Sequence, residues 1–359
     1  MDDPFSIPPF FDLGCGEFAA LERVGVGHIN DTFLGSVCEL SGCYSRYIFQ
    51  RINQNVFPDV GSLMENLERV TEHMKRDRSL RLVPTKEGES FHRDVAGGCW
   101  RAFPFVEGTV TVRVVSSPSQ AKQAGRAFGE FSRALADLPA PRLHETIPDF
   151  HNTPKRFADF VAAVEADRCN RANSAKAEIE MAMAGGEWAG MISDAMKAGA
   201  VPERIAHNDA KMENVLLDAE TGEAVCVVDL DTVMPGTVLH DFGDLVRTAT
   251  ATAAEDERDL DRVGFSMTIF KSLAEGFLSS CGDMLTSGEL DLLPYAGKII
   301  TYEQSLRFLT DYLLGDPYYK TKSEFHNLER TRNQQRMVSL LEESESAMCR
   351  HCVILAECE

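Results

Sequence analysis

The chain of 359 residues predicts an α+β fold with two lobes, a small β-rich lobe followed by a larger helical one. The first hundred residues contain segments with strand composition, such as Trp100–Phe103. From Ser117 onward, apolar residues recur mainly at helical spacing. The length is also comfortable for two units of about 100–200 residues each. We therefore place the lobes at residues 1–105 and 106–359.

In the first lobe, a helix is predicted between two strands. The strands include Tyr47–Phe49 and Trp100–Phe103. The helix follows Pro58 and Asp59, which are typical of a helix start. Its apolar residues recur at helical spacing: Leu63, Leu67, Val70 and Met74.

The second lobe is predicted to consist of long amphipathic helices interrupted by one β-hairpin. The helical stretches lie near residues 118–137, 155–168, 174–197, 256–280, 287–314 and 327–346. The hairpin comprises residues 215–217, a turn at Thr221 and Gly222, and residues 225–228.

Composition and charge exclude several classes of protein. The chain carries 56 acidic and 36 basic residues, a formal charge of −20. Such a surface repels nucleic acid and anionic lipid, and no basic patch offsets it. The apolar runs are too short to cross a bilayer, and the acidic start differs from a signal peptide. We expect a cytoplasmic monomer that binds neither nucleic acid nor membrane.

Ten cysteines are scattered without a repeating framework. The local group Cys349, His351, Cys352 and Cys358 permits a zinc clip, but it lacks a second well-spaced pair. We therefore expect a terminal helix that carries thiols rather than a metal site.

A group of polar residues surrounds the predicted hairpin. His207, Asp209 and Asn214 precede it in the pattern H-x-D-x-x-x-x-N, and Asp229 ends its second strand. This is the pattern of phosphotransferases, whose reaction needs positioning and charge neutralisation. Asp209 is placed to accept the proton of an acceptor hydroxyl. His207 is expected to orient the segment through backbone hydrogen bonds.

The same group offers oxygen ligands to a hard cation. Asn214 and Asp229 lie at the two ends of the hairpin, where both can bind one Mg²⁺ ion. Asp231 is either a second metal ligand or a structural carboxylate. Asp241 stands in a D-F-G-like triplet that follows the metal residue, so we interpret it as a loop-bracing or helix-capping acid.

A glycine-rich segment near the start predicts a site for the phosphates of ATP. Gly25, Gly27 and Asn30 form the pattern G-x-G-x-x-N between candidate strands. Glycines allow backbone amides to approach phosphate oxygens, and Asn tolerates a left-handed backbone. His28 could instead point into the acceptor pocket.

The strand lysine that normally pairs the nucleotide phosphates is replaced by Gln50. Either Gln50 binds phosphate without charge, or a bulge brings Arg51 inward. Glu68 is the candidate for the helix glutamate that would partner a lysine. We also assign Phe105, at the joint between the lobes, to the nucleotide site.

The hairpin set resembles the aminoglycoside phosphotransferase and choline kinase superfamily. Longer stretches resemble the N-acetylhexosamine 1-kinases, in order from about residue 20 to about residue 340. These stretches are Gly27–Asn30, Asn53 with Phe57–Asp59, Asp229–Thr232 with Met234–Gly236, Glu255–Asp261, and Arg307–Leu309 with Asp311–Leu313.

The resemblance implies a protein-kinase-like bilobal fold and ATP-dependent phosphorylation of the C1 hydroxyl of N-acetylglucosamine or N-acetylgalactosamine. It also implies that Asp209 is the base and that Asn214 and Asp229 hold Mg²⁺. Arg307 and Tyr318 match positions that grip the sugar, and His28 contacts it too. From the residues alone, Arg307 could equally be a surface or salt-bridged arginine. Tyr318 could equally be a packed loop aromatic.

Two alternatives remain open at the level of sequence. A related kinase could act on another hydroxyl acceptor, such as another hexose, methylthioribose, homoserine or an aminoglycoside. The chain could also be a nucleotide-binding pseudokinase. The presence of the base and of both metal ligands argues against the pseudokinase.

Overall fold

A computed structural model describes residues 4–24, 29–40, 42–74 and 80–357. Its first part is a five-stranded antiparallel sheet with the strand order β1-β2-β3-β5-β4. The strands are β1 Glu17–Arg23, β2 Asp31–Cys38, β3 Tyr44–Arg51, β4 His92–Arg93 and β5 Cys99–Pro104. Within this sheet Gln50 of β3 lies opposite Thr32 of β2 and Arg101 of β5.

One helix, α1 Val60–His73, connects this sheet to the rest of the molecule. The side chain of Asp59 caps it by accepting a hydrogen bond from the amide of Ser62, at 3.1 Å. Its buried apolar face packs in one cluster with Phe103 of β5 and with Phe131 and Leu230 from the second part of the chain. The helix therefore lies between the sheet and the segment that carries the predicted catalytic residues.

The second part of the chain is largely helical. Its helices are α2 Pro118–Leu135, α3 Thr153–Ala166, α4 Lys176–Ala184, α5 Met191–Lys197, α6 Val238–Ala249, α7 Met267–Cys281, α8 Ser287–Leu313 and α9 His326–Glu357. Its strands are β6 Thr109–Thr111, β7 Arg204–Ala206, β8 Val215–Asp218, β9 Ala224–Val227 and β10 Met234–Gly236. Strands β6, β8 and β9 form one small sheet, and β7 pairs with β10. The predicted α+β fold class is thus confirmed.

Helices α2 and α7 pack at very close range because glycines lie at their contact. A Cβ atom on Gly276 of α7 would lie 2.1 Å from the carbonyl oxygen of Lys122. A Cβ atom on Gly125 of α2 would lie 2.2 Å from the carbonyl oxygen of Leu273. Backbone on both sides leaves no flexible side chain to move away, so only glycine fits.

Two predicted helical stretches differ from the structure. The stretch 174–197 forms two α-helices, α4 and α5, instead of one. A 3-10 turn at Gly185–Trp188 lies between them, since glycines are poor α-helix formers. The stretch 256–280 contains α-helix only from Met267 onward, preceded by a short 3-10 turn at Leu260–Arg262. Before it, acidic side chains bind loop amides; Asp259, for example, accepts a hydrogen bond from the amide of Asp261 at 3.2 Å.

The helix predicted near residues 327–346 is present as α9, which continues eleven residues beyond the expected end at 346. Cys349 and Cys352 both lie in α9, as the helical alternative requires, and Cys358 lies outside the described residues. Among the described residues, no helix combines the length and apolar character needed to span a membrane.

Candidate active site

The segment between β7 and β8 is held in place by hydrogen bonds that the side chains of Asp241 and His207 form with backbone groups. Asp241, in the first turn of α6, accepts from the amides of His207 and Asn208, at 2.8 and 2.7 Å. This is the bracing role that the sequence indicated. His207 accepts from the amide of Asp209 through Nδ1, at 3.3 Å, and donates from Nε2 to the carbonyl of Val228, at 3.0 Å. His207 therefore ties the two ends of the hairpin together.

Asp209 and Asn214 meet as their spacing predicted. The amide nitrogen of Asn214 donates to the backbone carbonyl of Asp209 at 2.8 Å and to its Oδ2 at 3.2 Å. Lys211 places its Nζ atom 2.9 Å from the same carboxylate oxygen. Burial works to raise the pKa of Asp209, but the charge and hydrogen bond of Lys211 lower it to about 2. Asp209 is therefore ionised at neutral pH.

Asp229 follows β9 in a left-handed backbone conformation, with φ of 63°. Burial raises the pKa of Asp229 to about 7, and the charges of Asp231 and Asp209 act in the same direction. The charges of Lys211 and Arg101 oppose that shift without cancelling it. Acidic side chains that crowd one another in this way favour a bound cation.

The donor set at this point fits Mg²⁺. Asn214 and Asp229 offer an amide and a carboxylate oxygen, and Mg²⁺ typically takes one or two protein oxygens together with phosphates and water. In the described part of the chain, no three His, Cys, Asp or Glu side chains form a complete cage for a metal.

Asp231 contacts a protein group through each carboxylate oxygen, but among the described residues only Oδ2 accepts a hydrogen bond, and Oδ1 is buried in an ion-pair contact. Its Oδ1 pairs with Nη2 of Arg101 at 2.5 Å, and its Oδ2 accepts from Nδ2 of Asn30 at 2.6 Å. The side chains of Arg101 and Asp231 are only 1% and 5% exposed. These contacts favour the structural alternative for Asp231 over a second metal ligand.

On the nucleotide side, the structure excludes one of the two alternatives for the missing lysine. The amide oxygen of Gln50 accepts from Nε and Nη2 of Arg101, at 3.0 and 2.8 Å. The register of β3 against β5 is continuous, without a bulge at Arg51. Arg51 instead lies beside Asp94 and helps to lower the pKa of that carboxyl, against the effect of burial. The inward Arg51 alternative is therefore wrong.

The remaining residues assigned to the nucleotide are not brought together in the described structure. Glu68 is exposed on α1, so it does not reach into the sheet as a helix glutamate would. Phe105 is half-buried, with the guanidinium of Arg46 4.1 Å above its ring. Gly25, Gly27 and His28 lie outside the described residues.

Asn66 is a buried α1 side chain that joins the two parts of the chain, and the sequence did not single it out. Its amide nitrogen donates to the carbonyls of His144 and Val233, and its oxygen accepts from the amide of His144. An asparagine on the buried face of an amphipathic helix is the signal that would have identified it.

Arg307, on α8, lies close to two aromatic rings from other parts of the chain. Its guanidinium is 5.1 Å from the ring centre of Phe150 and 5.9 Å from that of Tyr319, and it donates to Gln304 at 3.2 Å. Tyr318 is 56% exposed and touches Tyr319 edge to face. Of the two neighbouring tyrosines, the one in contact with Arg307 is thus Tyr319.

A buried ion pair contacts the segment between β7 and β8, which carries the predicted catalytic residue Asp209. His151 contacts Glu303 through Nδ1, at 2.7 Å, and the carbonyl of Asn208 through Nε2, at 2.9 Å. Because both partners are acceptors, both ring nitrogens carry a proton. Glu303 raises the pKa of His151 against burial, and the pKa of Glu303 falls to about 2 despite its own burial. The pair supports the residue that precedes Asp209, and no local spacing signals it.

His240 completes this group as a neutral side chain. Burial and the nearby charge of His151 lower the pKa of His240 to about 3. Its Nδ1 atom lies 3.4 Å from the side-chain oxygen of Asn208. Two histidines, one protonated and one neutral, therefore contact the same residue, Asn208.

Comparison with known proteins identifies similar families and folds. A family model described as "Phosphotransferase enzyme family" matches residues 21–269. The structure is similar to an aminoglycoside phosphotransferase from Alicyclobacillus acidocaldarius, with 14% identity, a TM-score of 0.60 and 97% of each chain covered.

Two further solved structures share the fold at similar distance. A choline kinase from Cryptosporidium parvum is 14% identical, with a TM-score of 0.52 and 92% of each chain covered. An amicoumacin kinase in complex with AMP-PNP and Ca²⁺ is 11% identical, with a TM-score of 0.53 and 95% of this chain and 90% of that chain covered. At these identities the likeness establishes the fold.

Proposed function

Because this chain belongs to the phosphotransferase enzyme family, we propose that it is an ATP-dependent kinase that phosphorylates the C1 hydroxyl of an N-acetylhexosamine. The observation that carries the kinase assignment is the meeting of Asp209, Lys211 and Asn214 at the start of the hairpin that ends in Asp229. The nucleotide would lie between the lobes at residues 1–105 and 106–359. An amicoumacin kinase with a similar fold binds AMP-PNP and Ca²⁺, which supports a nucleotide and a divalent cation here.

In this proposal Asp209 holds the acceptor hydroxyl and takes its proton. The C1 oxygen attacks the γ-phosphorus as the bond from that phosphorus to the leaving oxygen of ADP breaks. Since the transition state is loose, the hydroxyl needs orientation more than a strong base, and an ionised carboxylate provides it. Lys211, 2.9 Å from Asp209, adds positive charge where the phosphoryl group must pass.

Asn214 and Asp229 would hold the magnesium ion, which neutralises phosphate charge when it is bound. His207 holds the two ends of the hairpin together, so the distance between these ligands does not depend on loop flexibility. The raised pKa of Asp229 has its cause in burial and in neighbouring acids, and a cation would remove that repulsion.

The sugar acceptor is supported by sequence resemblance and by the chemistry of Arg307. A guanidinium held against Phe150 and Tyr319 offers N–H donors to neutral hydroxyl or acetamide oxygens. The same positive charge disfavours cationic acceptors such as choline or an aminoglycoside. A neutral hydroxyl compound other than an N-acetylhexosamine is the second candidate, since nothing in the arginine's contacts selects the acetamide.

The kinase assignment is tested with Asp209→Asn. The amide keeps the shape of the side chain but cannot take a proton, so turnover should fall by about 10²–10⁴-fold. Binding of Mg·ATP, measured by calorimetry, should stay within about threefold of the unaltered protein. If ADP release continues at the original rate, Asp209 is not the base.

The acceptor is tested separately, with a panel of sugars, amino alcohols and aminoglycosides in a coupled assay of ADP release. Phosphorus NMR of the product then locates the phosphate through its coupling to the anomeric proton. A phosphate on C6, or turnover only with a cationic acceptor, would overturn the C1 assignment while leaving the kinase assignment intact.

A further inference from the structure

A kinase site without the strand lysine lacks one positive charge beside the nucleotide phosphates. Gln50 occupies the lysine position and is uncharged. The inference below rests on the proposed function, because it concerns how that site compensates for the missing charge. Among the described residues, a buried cation lies next to Gln50, and it comes from the neighbouring strand.

Arg101 lies directly opposite Gln50 in the pairing of β3 with β5. Its Nε and Nη2 atoms donate to the side-chain oxygen of Gln50, and Nη2 also pairs with Asp231. Gln50 in turn donates to the hydroxyl of Thr32 on β2 at 3.3 Å. Gln50 thus supports the guanidinium of Arg101 through its side-chain oxygen.

The remaining nitrogen of Arg101, Nη1, is buried and has no hydrogen-bond partner in the described part of the chain. The side chain as a whole is 1% exposed. A buried donor on a charged group that lacks a hydrogen bond costs free energy, so such a donor normally has a partner in the protein, in ordered water or in a ligand. A phosphate oxygen is the acceptor that suits a guanidinium best.

The surroundings of Arg101 belong to the two segments that a nucleotide would contact. Asp231, its ion-pair partner, follows Asp229 by two residues. Asn30, which donates to the other oxygen of Asp231, ends the glycine-rich pattern and also accepts from the amide of Asn53 at 3.0 Å. Arg101 therefore lies where Asn30 and the turn after Asp229 meet.

We propose that Arg101 supplies, from the adjacent strand, the positive charge that Gln50 cannot, with Nη1 donating to a phosphate oxygen of the bound nucleotide. Gln50 and Asp231 hold the guanidinium in place through its other nitrogens. In this arrangement Arg101 on β5 provides the positive charge that the strand lysine normally provides. Gln50, at the lysine position on β3, orients the guanidinium of Arg101.

The test compares affinity for ATP with affinity for adenosine, both measured by calorimetry in the presence of Mg²⁺. Adenosine has no phosphates, so it reports on the folded nucleoside site alone. Arg101→Gln should weaken ATP binding at least tenfold while adenosine binding changes less than twofold. Adding Gln50→Lys to Arg101→Gln should restore part of the ATP affinity, because a cation returns to the same region.

Arg101→Gln leaves Asp231 buried and unpaired, which could prevent folding. The variant Asp231→Asn with Arg101→Gln avoids this problem, because it buries no charge at either position. The doubly altered protein should lose its preference for ATP over adenosine at least tenfold relative to the unaltered protein.

Equal loss of ATP and adenosine affinity in these variants would mean that Arg101 is only structural. Unchanged ATP affinity in a folded Arg101→Gln protein would also overturn the inference. Neither result would affect the proposed kinase function, which instead fails if the unaltered protein does not bind Mg·ATP or does not release ADP with any acceptor.

Discussion

Replacing Glu303 by glutamine should destabilise the protein by roughly 3 kcal/mol near pH 5.5. Glu303 is 1% exposed and contacts His151 at 2.7 Å and Thr153 at 2.6 Å. The pKa of Glu303 falls from 4.5 to about 2, which corresponds to roughly 3 kcal/mol at about 1.4 kcal/mol per pH unit. Removing one partner of a buried ion pair typically costs about 3–5 kcal/mol, in the same range.

The size of this effect should depend on pH in a defined way. The pKa of Glu303 is lowered, so its contribution is present above pH 4.5 and is lost as the pH falls toward 2. The pKa of His151 is raised, so its contribution is full below pH 6.5 and is lost as the pH rises through its higher value in the folded protein. The difference between the two proteins should therefore be largest between pH 4.5 and 6.5.

Urea denaturation at pH 5.5, 7 and 9 measures this difference. The matched control is Glu275→Gln, which removes an exposed partner of Lys122 and should change stability by less than about 1 kcal/mol. A loss below about 1 kcal/mol for Glu303→Gln at pH 5.5 would refute the reasoning. A difference that stays constant from pH 5.5 to 9 would refute the assignment of a charged His151.

Two further substitutions test the helical part of the structure. Gly276→Ala should cost about 3 kcal/mol or more in urea denaturation, because its Cβ atom would lie 2.1 Å from the carbonyl of Lys122; Gly61→Ala, in the open first turn of α1, should be neutral or slightly stabilising. Thr286→Ala should cost about 1 kcal/mol in the same assay, because Thr286 and Glu289 form a reciprocal capping box at the start of α8. A neutral Gly276→Ala or a neutral Thr286→Ala would contradict the helix contact or the cap, respectively.

Features that depend on short spacings were predictable from the sequence. The α+β fold class and the strand context of the hairpin follow from local periodicity, because neighbouring residues alone determine the pattern. The same holds for the meeting of Asp209 with Asn214, whose separation is short enough for one turn to bring them together. The start of α1 at Asp59 was predictable for the same reason.

Features that depend on tertiary contacts were not predictable. In the sequence Arg101 has no feature that distinguishes it from other strand residues. Only the register of β3 against β5 places it opposite Gln50. His151 and Glu303 are far apart in the chain and carry no shared spacing, although together they form the buried pair that contacts the segment between β7 and β8. Glu68 shows the converse, since it fits a helix pattern but lies on the exposed face of α1.

The left-handed backbone at Asn208 and Asp229 decides which substitutions at the site can be interpreted. Their φ angles are 61° and 63°, a region that asparagine and aspartate enter more readily than most residues. Alanine at either position would add about 1–2 kcal/mol of backbone strain to the loss of the polar group. Exchange of Asp229 for Asn removes the charge while keeping the conformational tolerance. An alanine scan would therefore overstate the chemical importance of these two residues, whereas an aspartate–asparagine exchange separates chemistry from geometry.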